Sequence, residues 1–282
     1  MNSELERLAL LGWVAPNLDD EGIFTVGAVN EDLISFPNAC YVEEELNAGS
    51  EGFWAKERAK AIRQMLYEFD LKVIWEIGAG NGNASVPLRN AGVRVIPIEP
   101  LRSGALQLVK NNFQPFQATL QDLKLPGNSV AAFGAFDVLE HLEDPDVLLS
   151  EIFRVLKPGG AFLCSVPAYE WLYSDFDISI GHFRRYSKKS IERTLESAQF
   201  ETMRTSWLFG FLVLPAFLLR RIPFLLGRRR NFGTLNRTNN PQSYFYGPVI
   251  KLLKLIVRFE NFFKIPFGLS ILCIAIKPSM DK

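Results

Sequence analysis

The chain has 282 residues, of which 48% are hydrophobic and 22% are charged, a composition that excludes a disordered or fibrous protein. Its 31 basic and 31 acidic side chains give zero net charge, which argues against a protein coated with positive charge for nucleic acid. The charge is uneven, because residues 1–180 hold 13 basic and 26 acidic side chains and the remainder hold 18 and 5. We therefore expect a polyanionic neighbour for the C-terminal third.

The cysteines give no sign of a disulfide scaffold or a zinc site. Cys40, Cys164 and Cys273 stand far apart, without a C-x-x-C pair or a histidine cluster, so we expect no metal. The first residues carry acids where a signal peptide carries a basic region. The sequence thus predicts a chain that is made and kept in a reducing cytoplasm.

In chain order, residues 1–50 show neither a helical nor a strand period and are interpreted as an irregular N-terminal extension. A helix is predicted over 53–69. Strands and helices then alternate, which is typical of a parallel sheet covered on both faces. The predicted strands cover 72–78, 93–99, 129–136 and 161–166, and the helices between them cover 101–112 and 145–156, the latter capped by Asp144.

The C-terminal third has a different pattern of apolar and basic residues from the rest of the chain. Strands are predicted over 200–206 and 270–277, and residues 207–266 between them form an apolar and basic helical insertion before the last strand and tail (267–282). The uncharged run of 15 residues at 205–219 is shorter than the roughly 20 that a membrane-spanning helix needs. Residues 247–263 predict a basic amphipathic helix. We expect peripheral membrane contact through 207–263, or packing of the same surface on the core or a second subunit.

The motif that carries the chemistry stands where a hydrophobic strand turns into a helix. It reads G-x-G-x-G over Gly78, Gly80 and Gly82, with the acid Glu76 two residues before the first glycine. Glycines allow the backbone to turn tightly and to approach a ligand. Glu99 ends the next strand, where a carboxylate can accept both hydroxyls of a ribose. Together these features predict a nucleoside-bearing cofactor.

The segments WEIGAGNGN, IEP and 137–167 resemble the class I S-adenosylmethionine-dependent methyltransferases, in particular those with a quinone-methylase-like core. The resemblance covers about 53–206 and defines a predicted core of 51–206. It implies a Rossmann-like, seven-stranded α/β sheet with helices on both faces, and S-adenosylmethionine as cofactor. It assigns the following residues to cofactor binding: Glu76, Gly78, Ala79, Gly80, Gly82, Glu99, Pro100, Thr119, Leu120, Phe136 and Asp137.

The sequence departs from the family pattern at two places. Thr119 stands where an acid usually meets the adenine amine, and a hydroxyl is a weaker partner than a carboxylate. Val130 and Ala131 replace the common Phe-Asp at the start of the fourth strand. These departures lower the expected cofactor affinity and leave its identity unchanged.

The two histidines are the candidate catalytic residues. The resemblance places His141 near the cofactor cleft, as a general base or as a residue that holds its loop by hydrogen bonds. His182 lies in a segment that resembles the G-H-x-R-x-Y of methyltransferases from bacterial glycan gene neighbourhoods, where the loop roofs the acceptor pocket. Arg185 and Tyr186 are expected to bind the acceptor, or Arg185 to form a structural ion pair.

The sequence therefore predicts methyl transfer to a small or lipid-linked acceptor. The resemblance favours a saccharide or glycan intermediate; a quinone precursor or other lipid is the alternative. An alternative outside enzymes is an inert methyltransferase-like protein that docks on a membrane as a partner of another enzyme. We expect no nucleic acid partner, and a cytoplasmic location with peripheral contact at the inner face of the membrane.

Overall fold

A computed structural model describes residues 2–26, 53–227, 255–256 and 265–279. The strands are β1 (Asn17–Leu18), β2 (Phe24–Thr25), β3 (Val73–Ile77), β4 (Arg94–Ile98), β5 (Phe116–Gln117), β6 (Val130–Phe136), β7 (Leu156–Pro167), β8 (Glu201–Leu208) and β9 (Ser270–Ile276). The helices are α1 (Asn2–Leu10), α2 (Phe53–Glu68), α3 (Ser85–Asn90), α4 (Arg102–Lys110), α5 (Asp146–Val155), α6 (Asp175–Ser179), α7 (Lys188–Ser197), α8 (Val213–Ala216) and α9 (Ile222–Leu225).

All nine strands form one sheet in the order β1-β2-β5-β4-β3-β6-β7-β9-β8. Strands β2, β5, β4, β3, β6 and β7 are parallel to their neighbours in that order, and β9 is antiparallel to both β7 and β8. The chain order reverses between β3 and β6, and open α/β sheets bind ligands at the carboxyl ends of strands at such a point. The predicted site motifs follow these two strands.

Side chains alternate between two apolar layers, as a sheet covered on both faces requires. Trp75 and Ile77 of β3 belong to one buried cluster, whereas Ile74 belongs to the other together with Ile62 and Met65 of α2. The predicted Rossmann-like α/β class and the predicted strands and helices of the core are confirmed. Pro145 stands at the N-cap of α5 without a side-chain cap, and the Asp144 carboxylate before it accepts from the Asp146 N–H at 3.0 Å.

The N-terminal extension is more ordered than the sequence pattern predicts. Its described part contains α1 and two short strands, which add β1 and β2 to the expected seven. Leu8 and Ile23 are fully buried, and Trp13 Nε1 donates to the Leu123 carbonyl at 2.8 Å. The described part thus differs from the predicted irregular segment at α1, β1 and β2, and strands of two residues are too short to show a period of two.

The insertion begins, after β8, as a broken helical run. It comprises a 3₁₀ turn (Gly210–Leu212), α8, a π-helical stretch (Phe217–Arg221) and α9. None of the described helices has the length and hydropathy that crossing a membrane requires. The predicted amphipathic helix 247–263 and Cys40 lie outside the described residues, apart from positions 255–256.

Candidate active site

The loop after β3 turns tightly at its three glycines. Gly78, Gly80 and Gly82 have φ angles of +64°, +55° and +87°, a region that residues with a Cβ rarely adopt. A Cβ at Gly78 would also lie 2.8 Å from Cγ2 of Val138. Conformation therefore requires glycine at all three positions, as the spacing predicts, and at Gly78 the space beside Val138 requires it as well.

Glu99 joins this loop to the end of β4. Its Oε2 accepts from the Gly80 backbone N–H at 2.6 Å, and its Oε1 accepts from the Leu101 N–H at 2.9 Å. A Cβ at Gly104 in α4 would lie 2.8 Å from Glu99 Cγ. The sequence analysis did not identify Gly104. A glycine in the first turn of the helix that follows Glu99 is the pattern that could have indicated it. Both carboxylate oxygens are thus fixed in position at the strand end by backbone donors.

The end of β6 presents a second carboxylate beside the glycine loop. Phe136 is buried, and Asp137 after it adopts a φ of +59°. The Asp137 carboxylate accepts from Ser165 Oγ at 3.0 Å and forms an ion pair with Arg58 of α2. Sequence reasoning did not identify Arg58 or Ser165 because they come from elements that are distant in the chain. Together they fix the carboxylate at the strand end.

The loop after β5 contains a carboxylate that the sequence analysis did not assign. Asp122 Oδ2 accepts from the Thr119 hydroxyl at 2.6 Å and from the Thr119 N–H at 3.1 Å, while Leu120 between them is buried. Thr119 stands where the family usually has an acid, and this chain has an acid, Asp122, three residues later. The signal is a Thr-x-x-Asp turn, in which the two side chains satisfy each other.

The two histidines and Glu140 meet beyond the end of β6. The His141 and His182 rings pack edge to face with centroids 4.6 Å apart, and His182 Nε2 lies 3.8 Å from Glu140 Oε1. Burial, followed by the charge of Asp137, raises the pKa of Glu140 well above its ordinary value. Burial, followed by His182, lowers the pKa of His141 to about 4, so its imidazole is neutral at physiological pH.

A cleft of about 160 Å³ opens beside the glycine loop and is lined by Trp54, Ala55, Arg58, Asn83 and Phe209. A larger cavity of about 760 Å³ lies between residues 11–17 and 122–126 and includes no residue of the glycine loop. We take the smaller cleft as part of the site because Arg58 and Asn83 connect it to Asp137 and to the glycines.

Comparison with known proteins agrees with this geometry. The family model for the methyltransferase domain matches residues 51–205, which is more than half of the chain. The chain belongs to the methyltransferase domain family. An S-adenosylmethionine-dependent methyltransferase, described as probable, from Mycolicibacterium smegmatis is 27% identical over 164 residues, 56% of this chain and 63% of that protein.

Two further similarities are informative about the fold and its relatives. Demethylmenaquinone methyltransferase of Streptomyces avermitilis is 31% identical over 131 residues, 45% of this chain and 54% of that enzyme. The structure of phosphoethanolamine N-methyltransferase 2 of Haemonchus contortus in complex with S-adenosyl-L-methionine has a TM-score of 0.52 at 16% identity, covering 90% of this chain and 61% of that one. The chain thus spans less than two thirds of these curated relatives.

The methyltransferase domain has S-adenosylmethionine as its cofactor. The described residues fit this group, because the three glycines hold the loop in a tight turn with positive φ angles and Glu99 lies at the neighbouring strand end, joined to that turn. The backbone N–H of Ala79 donates to the Ile98 carbonyl at 3.1 Å, which links the loop to the Glu99-Pro100 end of β4. The individual cofactor contacts stay predictions.

Glu76 is placed differently from the other carboxylates of this methyltransferase. It is buried within β3 and accepts a hydrogen bond from the Ser85 hydroxyl of α3. Burial raises the pKa of Glu76 to about 7, and the Ser85 hydrogen bond and Arg58 oppose the shift. The folded protein therefore binds a proton on Glu76 more tightly than the unfolded chain does.

This shift predicts a stability that falls as pH rises. Because the folded pKa of about 7 exceeds the ordinary 4.5, the unfolded state binds fewer protons between these values, and up to about 3 kcal/mol of unfolding free energy is lost across that window. Glu76→Gln keeps an oxygen for Ser85 and removes the titration. We expect urea denaturation at pH 5 and pH 8 to show a smaller pH effect in Glu76→Gln than in the unmodified chain; equal effects would contradict the assignment.

Arg185 and Tyr186, expected to bind the acceptor, are 5% and 3% exposed. Arg185 Nε donates to Asp177 Oδ1 at 2.7 Å, and the Tyr186 hydroxyl donates to the Leu139 carbonyl at 3.3 Å. Burial would raise the pKa of Asp177, but hydrogen bonds and charge from His182 and Arg185 outweigh it and hold that pKa below its ordinary value. These contacts match the ion-pair alternative for Arg185, and acceptor binding stays a prediction.

Proposed function

We propose that this chain catalyses S-adenosylmethionine-dependent methyl transfer to a small or lipid-linked acceptor, with a saccharide or glycan intermediate as the favoured class. The observation that carries the proposal is the glycine loop joined to Glu99 at the switch point of the sheet. The saccharide preference is supported by the resemblance of the Gly181–Tyr186 segment to methyltransferases of glycan gene neighbourhoods.

Bound S-adenosylmethionine supplies a methyl group on a positively charged sulfur. The acceptor atom attacks the methyl carbon in line, the carbon–sulfur bond breaks with its electron pair remaining on sulfur, and an acceptor proton passes to a base or to water. The chain's main task is positioning, which can provide most of the rate gain in such a displacement. We propose that Glu99 fixes the ribose, that Asp122 in place of Thr119 accepts from the adenine amine, and that Phe136 and Asp137 border the transferred group.

Isothermal calorimetry with S-adenosylmethionine and S-adenosylhomocysteine tests the cofactor role. We expect a Kd of about 1 μM, near −8 kcal/mol. Gly80→Arg should abolish the heat, because it places a long side chain in the loop at a φ of +55°. No heat and no thermal shift with the unmodified chain would contradict the enzyme and favour an inert, membrane-docked partner. Binding would justify an acceptor screen with saccharides, lipid-linked saccharides and quinone precursors.

A quinone precursor or other lipid is the second candidate acceptor. It is supported by the likeness to the demethylmenaquinone methyltransferase of Streptomyces avermitilis and by apolar side chains exposed in the insertion. Leu214, Leu219 and Leu226 are 63%, 60% and 67% exposed. Exposed leucines grouped in one helical run are typical of an interaction surface.

We propose that this run contacts the membrane surface, which would bring a lipid-linked acceptor to the cleft. Its two described arginines are engaged within the protein, since Arg220 lies over the Phe176 ring at 4.0 Å and Arg221 donates to the Tyr173 carbonyl at 2.5 Å. The leucines would therefore make the contact.

Flotation with phosphatidylglycerol vesicles tests this surface. We expect the unmodified chain to float with the vesicles and a Leu214→Ser, Leu219→Ser double variant to lose flotation. The control variant Leu10→Ser, which changes an exposed leucine on α1, should keep it. Equal flotation of both variants would count against this surface.

A further inference from the structure

Glu140, His141 and His182 form a cluster in which one carboxylate oxygen and one nitrogen from each ring lie within 4.8 Å of one another. Glu140 is fully buried, and within the described part of the chain neither of its carboxylate oxygens has a hydrogen-bond partner. Burying a polar group without a partner is costly, so such a group in a native site calls for a missing ion or water. The carboxylate points toward His182, with Oε1 at 3.8 Å from Nε2.

The two imidazoles are anchored as metal-binding histidines usually are. His141 Nδ1 lies 3.2 Å from the Gly181 carbonyl oxygen, and His182 Nδ1 lies 3.0 Å from Asp177 Oδ1. Both oxygens only accept, so Nδ1 is the donor in each ring, and Nε2 is the nitrogen left to bind an ion. Ligating histidines donate their second N–H to a carbonyl or carboxylate, which orients the ring and raises its basicity.

We propose that Glu140, His141 and His182 bind a divalent transition-metal ion through one carboxylate oxygen and the two Nε2 atoms. Two imidazoles and one carboxylate suit Zn²⁺, Mn²⁺ or Fe²⁺, and three protein ligands leave a coordination position open. Asp177 is the outer partner of His182, and the buried Arg185 holds Asp177 in place. The sequence predicted no metal because its cysteines are scattered and the two histidines are far apart in the chain.

The position of this site gives the ion a role, which rests on the proposed function. Val138, two residues before Glu140, lies against Gly78 of the cofactor loop. An ion bound here would be held on the segment that packs against the cofactor loop, and it would lower the pKa of an acceptor hydroxyl at its open position. The hydroxyl oxygen would then form its bond to the methyl carbon while the carbon–sulfur bond breaks and the proton passes to water. The site therefore favours a hydroxyl-bearing acceptor and O-methylation.

A Co²⁺ titration of the chelator-treated full chain tests the metal site directly, because protein-bound Co²⁺ has a visible absorption band. We expect one Co²⁺ per chain, and a fall in affinity of about 100-fold in both Glu140→Gln and His182→Gln. Glu143→Gln, which changes an exposed carboxylate nearby, should bind Co²⁺ within about two-fold of the unmodified chain. Circular dichroism and urea midpoints establish that each variant is folded.

Two outcomes overturn the metal site: no saturable Co²⁺ band in the unmodified chain, or unchanged binding in both ligand variants. The role has its own readout, because chelation should abolish O-methylation, added Mn²⁺ or Zn²⁺ should restore it, and S-adenosylmethionine affinity should not change. O-methylation that survives chelation would overturn the role. A chain that binds Co²⁺ and gives no heat with S-adenosylmethionine would instead contradict the proposed function alone.

Discussion

Replacing Glu99 by alanine is expected to weaken S-adenosylmethionine binding by about 100-fold. Under the proposed role of Glu99, the substitution would remove two hydrogen bonds from ribose hydroxyls to a charged carboxylate, each contributing about 1.5 kcal/mol, and about 3 kcal/mol corresponds to that factor. The Kd from calorimetric titration of Glu99→Ala and the unmodified chain, at one salt concentration and one temperature, measures the effect.

The same carboxylate also supports the loop that it would share with the cofactor. Because Glu99 accepts from the backbone N–H groups of Gly80 and Leu101, its loss leaves two donors in need of water and loosens the turn. Glu99→Gln keeps the shape of the side chain and one oxygen acceptor, so we expect an intermediate loss of about ten-fold. Comparing the Kd values of Glu99→Gln and Glu99→Ala therefore separates the effect of the charge from that of the side-chain shape.

The matched control is Glu196→Ala, which removes an exposed carboxylate on α7. Its affinity for the cofactor should stay within about two-fold of the unmodified value, since surface substitutions away from a site have small effects. An unchanged Kd in Glu99→Ala, with the fold intact, would show that Glu99 does not hold the ribose.

Arg185→Ala is expected to lower the unfolding free energy by about 3–5 kcal/mol. Arg185 is buried, and its Nε donates at 2.7 Å to the fully buried Asp177, so removing the guanidinium takes away the paired charge of a carboxylate in the interior. Asp177 also holds the N-terminus of α6, accepting from the Ser174 N–H at 3.0 Å, and it anchors His182. Urea denaturation followed by tryptophan fluorescence gives the free energy.

The neighbouring Arg184 provides a control of the same chemistry in a different environment. Its Nη2 donates to the Glu143 carbonyl at 2.5 Å at the surface, so Arg184→Ala should cost less than about 1 kcal/mol. If Arg185 served the acceptor instead, Arg185→Ala would keep the stability of the unmodified chain and raise KM. That result would restore the acceptor-binding expectation and reject the ion pair as its main role.

Local patterns in the sequence were sufficient to predict the core of the fold and the cofactor loop. The G-x-G-x-G spacing requires positive φ angles that the structure has, and Glu99 lies at the adjacent strand end because parallel neighbours end at the same edge. These features are predictable because each depends on a few consecutive residues and on the order of neighbouring strands.

The surroundings of His182 could not be predicted in the same way, since their contacts depend on how a long loop folds. The Phe183 N–H donates to the Glu140 carbonyl at 2.8 Å, and the Tyr186 N–H donates to the Pro167 carbonyl at 2.9 Å. The first bond brings the loop after β7 to the segment that follows β6 and places His182 beside Glu140, and the second returns the loop to the end of β7. Spacing in the sequence holds no information about that return, and Arg58, which reaches Asp137 from α2, was missed for the same reason.

The strands β1 and β2 have a consequence for how separate chains meet. Strand β2 pairs with β5, and Phe24 stacks on Phe116 with ring centroids 4.8 Å apart. Without this cover, the backbone of β5 and the apolar Phe116 ring beside it would be open to strand pairing by another chain, the usual start of aggregation. The edge strand on this side is β1, which has only two residues and so offers few unpaired backbone groups to another chain. The N-terminal segment thus protects the chain against self-association during folding.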